Sequence, residues 1–263
     1  MRPAVIILAA GRGSRMGELT SARPKCMTEL AGRPLLHWQL DSLRQAGLTE
    51  IHVVTGYLGD TLKGPFATFP NARWQETNMV ASLACAAPVL SRRACIVAYS
   101  DIVYHPGHVR GLAEAEGDIV ITSDRLWEAL WRLRFDSPLD DAETFRAEEG
   151  LLAEIGAKPR TLDEIQGQYM GLLKITPRGW EGIRAVLDGL PAPQRDRLDM
   201  TSLLRLLLQA GQPVGVVSVE GRWLEVDSGR DVLAYERALE DALAQGTCFS
   251  HDWRENPSWC SGS

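Results

Sequence analysis

Leu8–Gly17 reads LAAGRGSRMG and runs straight out of the apolar stretch Ala4–Leu8; Arg23-Pro24-Lys25 follows close behind. A short apolar run stopped by glycine predicts a buried strand that opens into a loop. Gly11 and Gly13 let the backbone approach a ligand and take up positive φ. Exposed N–H groups in such a loop can cradle phosphates, and Arg15 and Lys25 supply charge to neutralise a triphosphate. Two familiar phosphate loops do not fit. A dinucleotide fingerprint needs glycine where Met16 stands, and it needs an acidic residue after the second strand, where Thr55-Gly56-Tyr57 is found. A Walker loop needs Gly-Lys-Ser/Thr, which is absent here.

Outward from this loop, short apolar runs alternate with amphipathic ones. Strands are predicted at Ala4–Leu8, Ile51–Thr55, Ala94–Tyr99 and Ile119–Thr122, and helices at Pro34–Ala46, Asn78–Leu90 and His105–Glu114. That rhythm predicts an α/β fold: a mostly parallel, Rossmann-like sheet flanked by helices. The rhythm breaks over residues 124–175, which hold Trp127, Trp131, an acidic stretch and two predicted strands, and which are read as an inserted acceptor-side lobe over the sheet. Helices at Pro177–Leu187, Met200–Gln209 and Gly229–Ala244, with strands at Pro213–Val219 and Trp223–Val226, complete one domain over residues 1–245. Residues 246–263 show no period and are expected to form a loosely ordered tail.

The composition narrows the classes. With 263 residues, 45% apolar and 24% charged, the chain can bury a sizeable core. A net charge of −6 argues against nonspecific nucleic-acid binding. No apolar run reaches the ~20 residues of a membrane span, so no membrane partner is expected. Five cysteines with no CxxC pair predict scattered thiols and a cytoplasmic setting. The five histidines show no ligand spacing and read as structural.

LAAGRGSRM, with ARPKCMTELAGRPLL over residues 22–36, resembles the signature of the sugar-nucleotidyltransferase superfamily. Further segments resemble its branch that makes CMP conjugates of phosphocholine and phosphonates. They are ETNMVASL (76–83), YSDIVY (99–104), residues 127–134, DAETF (141–145), GQYMGL (167–172) and WLEVD (223–227). The resemblance implies transfer of CMP from CTP to a small phosphonate or phosphate monoester, with Mg2+. It implies that Arg15 and Lys25 steady the phosphates, and that Leu8, Ala10, Gly11, Gly13, Ser14, Asn78 and Ser82 line the nucleotide site. Asn78 reads equally well as the N-cap of its helix.

The resemblance also implies that Asp101 and Asp227, each following a predicted strand, hold the metal; magnesium prefers carboxylate and phosphate oxygens. On the acceptor side it implies Trp131, Arg132, Arg134, Lys158 and Tyr169. Trp127 and Trp131 lie four apart and read either as a wall for a quaternary ammonium group or as core packing. An extended Arg132-Leu133-Arg134 would turn both arginines to one face and favour an acidic acceptor. Glu143 and Asp141 read either as partners for an amine or as surface partners of those arginines. The acceptor phosphate is itself an anionic nucleophile, so positioning and charge stabilisation suffice for in-line displacement. Phosphocholine and sugar 1-phosphates are rival acceptors, a non-catalytic nucleotide-binding regulator is a rival class, and a homodimer is compatible with the chain.

Overall fold

The computed structural model describes residues 2–254. In chain order the strands are β1 (Ala4–Ala9), β2 (Glu29–Leu30), β3 (Arg33–Pro34), β4 (Ile51–Thr55), β5 (Ala67–Pro70), β6 (Cys95–Tyr99), β7 (Ile102–Tyr104), β8 (Ile119–Asp124), β9 (Phe145–Glu148), β10 (Leu151–Ile155), β11 (Gln168–Ile175), β12 (Gly215–Val219) and β13 (Trp223–Glu225). The helices are α1 (Leu35–Gln45), α2 (Met79–Cys85), α3 (Ala87–Leu90), α4 (Pro106–Glu114), α5 (Trp127–Arg134), α6 (Pro177–Asp188), α7 (Ala192–Arg197), α8 (Met200–Gln209) and α9 (Gly229–Gln245).

Nine strands form one sheet in the order β5-β4-β1-β6-β11-β8-β12-β10-β9, in which all but β10 and β11 run in the same direction. β1 shows why both faces are covered. All six of its residues are buried, and successive side chains point to opposite faces. Val5, Ile7 and Ala9 join the core beneath α1, α4, α5 and α9, whereas Ala4, Ile6 and Leu8 join the core beneath α2, α3, α6 and α8. Ser228 and Asp231 form a reciprocal capping box that starts α9.

Four expectations change. The helix expected over Asn78–Leu90 is two helices meeting at Ala86, with Pro88 in the first turn of the second, where its missing N–H costs nothing. Residues 124–175 do not form a separate lobe over the sheet: α5 alone packs on a face, and the strands of this stretch join the sheet itself. β9 and β10 extend its edge, and β11 runs antiparallel between β6 and β8 near its centre. Chain-order rhythm is blind to such a strand because its neighbours are remote in sequence. The tail is packed as far as it is described. Trp253 is 2% exposed and edge-on to Trp38 with ring centroids 5.4 Å apart. His251 is fully buried with Nε2 2.9 Å from Asp124 Oδ2. Cys26, Cys85 and Cys95 are free, but Cys248 is disulfide-bonded, against the expectation of scattered thiols; Cys260 lies outside the described residues.

Candidate active site

β1 delivers the chain to the carboxyl edge of the sheet beside β6, and Gly11 and Gly13 carry it into a 3-10 turn over Ser14–Thr20. Gly13 has φ 68°, and a Cβ there would come within 2.8 Å of the Lys25 side chain. Glycine is needed both for the left-handed backbone and for the passage of that side chain. On Gly11 a Cβ would meet nothing within 4 Å, so the space beside it is open.

Lys25 reaches through this gap to two carboxylates. Its Nζ donates to Asp101 Oδ2 and Asp227 Oδ1, both at 2.6 Å. A small ladder brings those aspartates together: β13 pairs antiparallel with β7, and the Val226 N–H donates to the Asp101 carbonyl at 2.8 Å. Arg15, mostly exposed, lies 3.3 Å from Asp227 at the mouth. From beneath, the fully buried Arg134 contacts Glu225 at 2.8 Å, Asp227 at 3.2 Å and Asp231 at 3.3 Å. The cluster therefore holds three cations against four carboxylates.

Burial works against charge at Lys25, but Asp101 and Asp227 outweigh it and hold the ammonium well above the ordinary lysine value. Burial also opposes ionisation of Asp227, and there the pull of Lys25, Arg15 and Arg134 wins, keeping it below the usual carboxylate range. For Glu225 burial wins over Arg134 and pushes its carboxyl up to about 7. Asp101 Oδ1 is buried and has no hydrogen-bond partner.

Two cavities flank this cluster. One, of about 110 Å³, is lined by Leu8, Ala10, Gly11, Trp74, Thr77, Asn78, Met79 and Ser82. The other, of about 190 Å³, takes in Arg15, Glu225 and Asp227 at one end, Tyr99, Trp131 and Tyr169 as aromatic wall, and Asp141 and Glu143 as further acids. Gly171 makes room for that wall, because a Cβ there would come within 2.5 Å of the Tyr99 ring. Burial raises the Glu143 carboxyl above its ordinary value.

Most residues singled out from the sequence fall in or beside these two cavities and the ion cluster, but Arg132 and Lys158 do not, and Arg134 and Asn78 are placed differently than expected. Arg132 does not reach the acceptor-side cavity. Residues 127–134 are the helix α5, so Arg132 and Arg134 diverge, and Arg132 pairs with Glu128 on the exposed face. Arg134 lies beneath the carboxylate cluster, where each of its three guanidinium nitrogens donates to a carboxylate. Lys158 Nζ is committed to the carbonyls of Leu139 and Asp140 and is absent from the lining. Asn78 lines the smaller cavity, but its amide also serves the fold: Oδ1 accepts from the Met79 N–H as a helix cap, and Nδ2 donates to the Arg197 carbonyl. Trp127 is core, stacked edge-on against Trp131, which alone of the two faces the cavity.

Sequence reading missed Trp74, Tyr99, Thr201, Gln168 and Glu225 as lining residues. Tyr99 and Glu225 sit within two residues of Asp101 and Asp227, and that adjacency at strand ends was the available signal. Trp74 lies in an irregular segment that carried none.

Residues 5–161 match the family model described as the MobA-like NTP transferase domain. A CTP:phosphoglutamine cytidylyltransferase of Campylobacter jejuni subsp. jejuni serotype O:2 is 34% identical over 86% of this chain and 96% of its own length. A 2-aminoethylphosphonate cytidylyltransferase of Lancefieldella rimae is 32% identical over 40% of this chain and 45% of its own. Among solved structures, the inositol-1-phosphate CTP transferase from T. maritima superposes with a TM-score of 0.72 at 18% identity, covering 95% of this chain and all of that one.

Proposed function

Because the chain belongs to the MobA-like NTP transferase domain family, we propose that this nucleotidyltransferase moves CMP from CTP onto a small phosphate or phosphonate whose far end carries an amine. The observation that carries the acceptor half is the charge of the larger cavity. Among the described residues Arg15 is the only cation in its lining, at the end nearest Lys25, whereas Asp141 and Glu143 stand with Tyr99, Trp131 and Tyr169. An acceptor with an anionic head and a cationic tail matches that polarity, and aromatic faces add cation–π attraction. The CTP half is supported by the Campylobacter jejuni relative, whose alignment spans nearly its whole length. An acidic acceptor loses its basis, since neither Arg132 nor Arg134 enters the cavity.

In this reading an oxygen of the acceptor's phosphoryl group attacks the α-phosphorus of CTP; the bond to the bridging oxygen breaks and pyrophosphate carries the electron pair away. The nucleophile is already anionic, so no side chain has to remove a proton. Lys25 stays charged throughout and faces the negative charge that develops at the α-phosphate, with Arg15 beside it. The exposed N–H groups around Gly11–Ser14 orient the triphosphate. Asp101 and Asp227 fit a divalent metal: both are hard oxygen donors, and Asp101 Oδ1 is buried without a partner. When bound, the metal supplies charge neutralisation between the reacting phosphates.

Pyrophosphate release with each of four nucleoside triphosphates tests the assignment. The acceptors are 2-aminoethylphosphonate, phosphocholine, phosphoglutamine, phosphonoacetate and a sugar 1-phosphate. CTP with an amine-bearing acceptor is expected to give the highest kcat/KM. Faster turnover with phosphonoacetate, or with another nucleotide, overturns the reading.

A further inference from the structure

A third cavity, of about 450 Å³, lies away from the ion cluster between α2, α3, α6 and α7. Val80, Ala81, Ala84, Ala87 and Leu187 make it apolar, and Trp180 lines it with an indole N–H that is buried and has no partner among the described residues. Its volume falls within the range of small-molecule sites. Its rim is basic: Arg73, Arg184 and Arg195 stand against Asp188 and Asp196. Arg73 is already held by Asp196 through two hydrogen bonds at 2.5 and 3.2 Å. Arg184 and Arg195 have no ion-pair partner among the described residues. An apolar floor, an unpaired indole donor and two unpaired guanidinium groups match an amphipathic anion.

The wall of this cavity is also the wall of the smaller cavity beside Gly11. At 100° per residue, Val80, Ala81 and Ala84 occupy one side of α2, and Asn78, Met79 and Ser82 the other. The first set lines the outer cavity and the second lines the inner one. The start of α2 is tied to α7, which forms another wall of the outer cavity. Asn78 N–H donates to the Asp196 carbonyl at 2.7 Å, Asn78 Nδ2 to the Arg197 carbonyl at 3.1 Å, and Val80 N–H to the Leu198 carbonyl at 3.2 Å. A molecule that shifts α7 relative to α2 therefore acts on the lining of the inner cavity through backbone bonds.

We infer that this cavity is an effector site for a small amphipathic anion, coupled through α2 to the nucleotide site. The coupling rests on the inner cavity being the nucleotide site; binding at the outer cavity does not. The probe is 8-anilinonaphthalene-1-sulfonate, whose aromatic body and single sulfonate reproduce the deduced chemistry. On the full chain, fluorescence titration is expected to show one saturable site that saturating CTP does not compete away stoichiometrically. Ala84→Trp fills the cavity, and the doubly charge-reversed Arg184→Glu/Arg195→Glu leaves its floor intact. Each is expected to raise the probe's Kd about tenfold or more, with circular dichroism unchanged. Bound probe is expected to change the KM for CTP about fivefold, and Ala84→Trp to change it in the same direction. Probe affinity unaltered in the charge-reversed variant overturns the site, whatever becomes of the Trp variant. An unchanged KM overturns the coupling, while a failure of CTP turnover in the wild type strikes the functional assignment and leaves probe binding as the measure of the site. A wild-type dimer that Ala84→Trp makes monomeric, with no probe bound, gives the groove to a second copy and overturns the proposal.

Discussion

Lys25 and Arg134 are both buried cations set against carboxylates, and their geometry separates their duties. Lys25 holds Asp101 and Asp227, the second of which lines the larger cavity, whereas Arg134 supports the same cluster from below with no exposure of its own. Lys25→Ala is expected to lower kcat/KM by roughly 10²–10³, the scale for one preorganised charge-stabilising donor, in a steady-state assay with CTP. Full turnover in that variant contradicts the assignment. Arg134→Ala strands Glu225, Asp227 and Asp231, and breaking a buried pair from one side costs about 3–5 kcal/mol. Its urea midpoint is expected to fall accordingly. Arg132→Ala, which loses only an exposed bridge to Glu128, is expected to stay within about 1 kcal/mol of wild type. Comparable losses in the two arginine variants contradict the placement of α5.

At the scale of elements, the loop after β1 does more than approach a ligand: Gly13 is the opening through which Lys25 passes. Gly13→Ala strains a left-handed backbone and presses on Lys25, so kcat/KM is expected to fall on the order of 10²-fold from misplacement alone. Gly11→Ala clashes with nothing among the described residues and is expected to keep the melting temperature. If CTP binds beside Gly11 as proposed, the KM for CTP nonetheless rises in that variant, and an unchanged KM removes the loop from the binding site. The loop, β1, β4, β6 and the aspartates at strand ends were legible in the sequence because local rules govern them: apolar runs, glycine punctuation, acids where strands stop. α5 was misread over Arg132-Leu133-Arg134 because three residues fit either period, and only burial of Trp127, Leu130, Trp131 and Arg134 along one face decides for the helix. The acceptor-side acids were seen but not placed, since Asp141 and Glu143 gain their meaning from Tyr99 and Gln168, which the fold brings to them from elsewhere.

For the whole molecule, two partly buried histidines are expected to contribute a loss of stability in mild acid. Burial lowers His105 to about 4, with Arg222, His108 and Arg110 adding to it, and burial also lowers His108. Both folded values lie below the ordinary histidine value near ~6.5, so between about pH 6.5 and 4 the unfolded chain takes up protons that the native state refuses. Stability contributed by these groups is complete above that window and is lost as pH falls through it. His105 Nδ1 also accepts the Gly107 N–H at the start of α4, a bond that protonation removes. His105→Asn keeps a capping side chain and drops the titration. Urea midpoints measured between pH 7 and 4.5 are expected to decline less steeply in that variant, and identical slopes contradict the assignment.

The lysine that joins two aspartates also sets a clock. Its partners stand 76 and 202 residues further along the chain. Long-range contacts of that kind form late, after the loops between them have closed. A nascent polypeptide at the ribosome has no Asp227 until 202 residues after Lys25 have been added, so a product cut short of that point retains the glycine loop and lacks a complete centre. During refolding from urea, the return of catalysis should trail the far-ultraviolet signal of the helices, which makes turnover a stopwatch for the last long-range closure rather than for collapse.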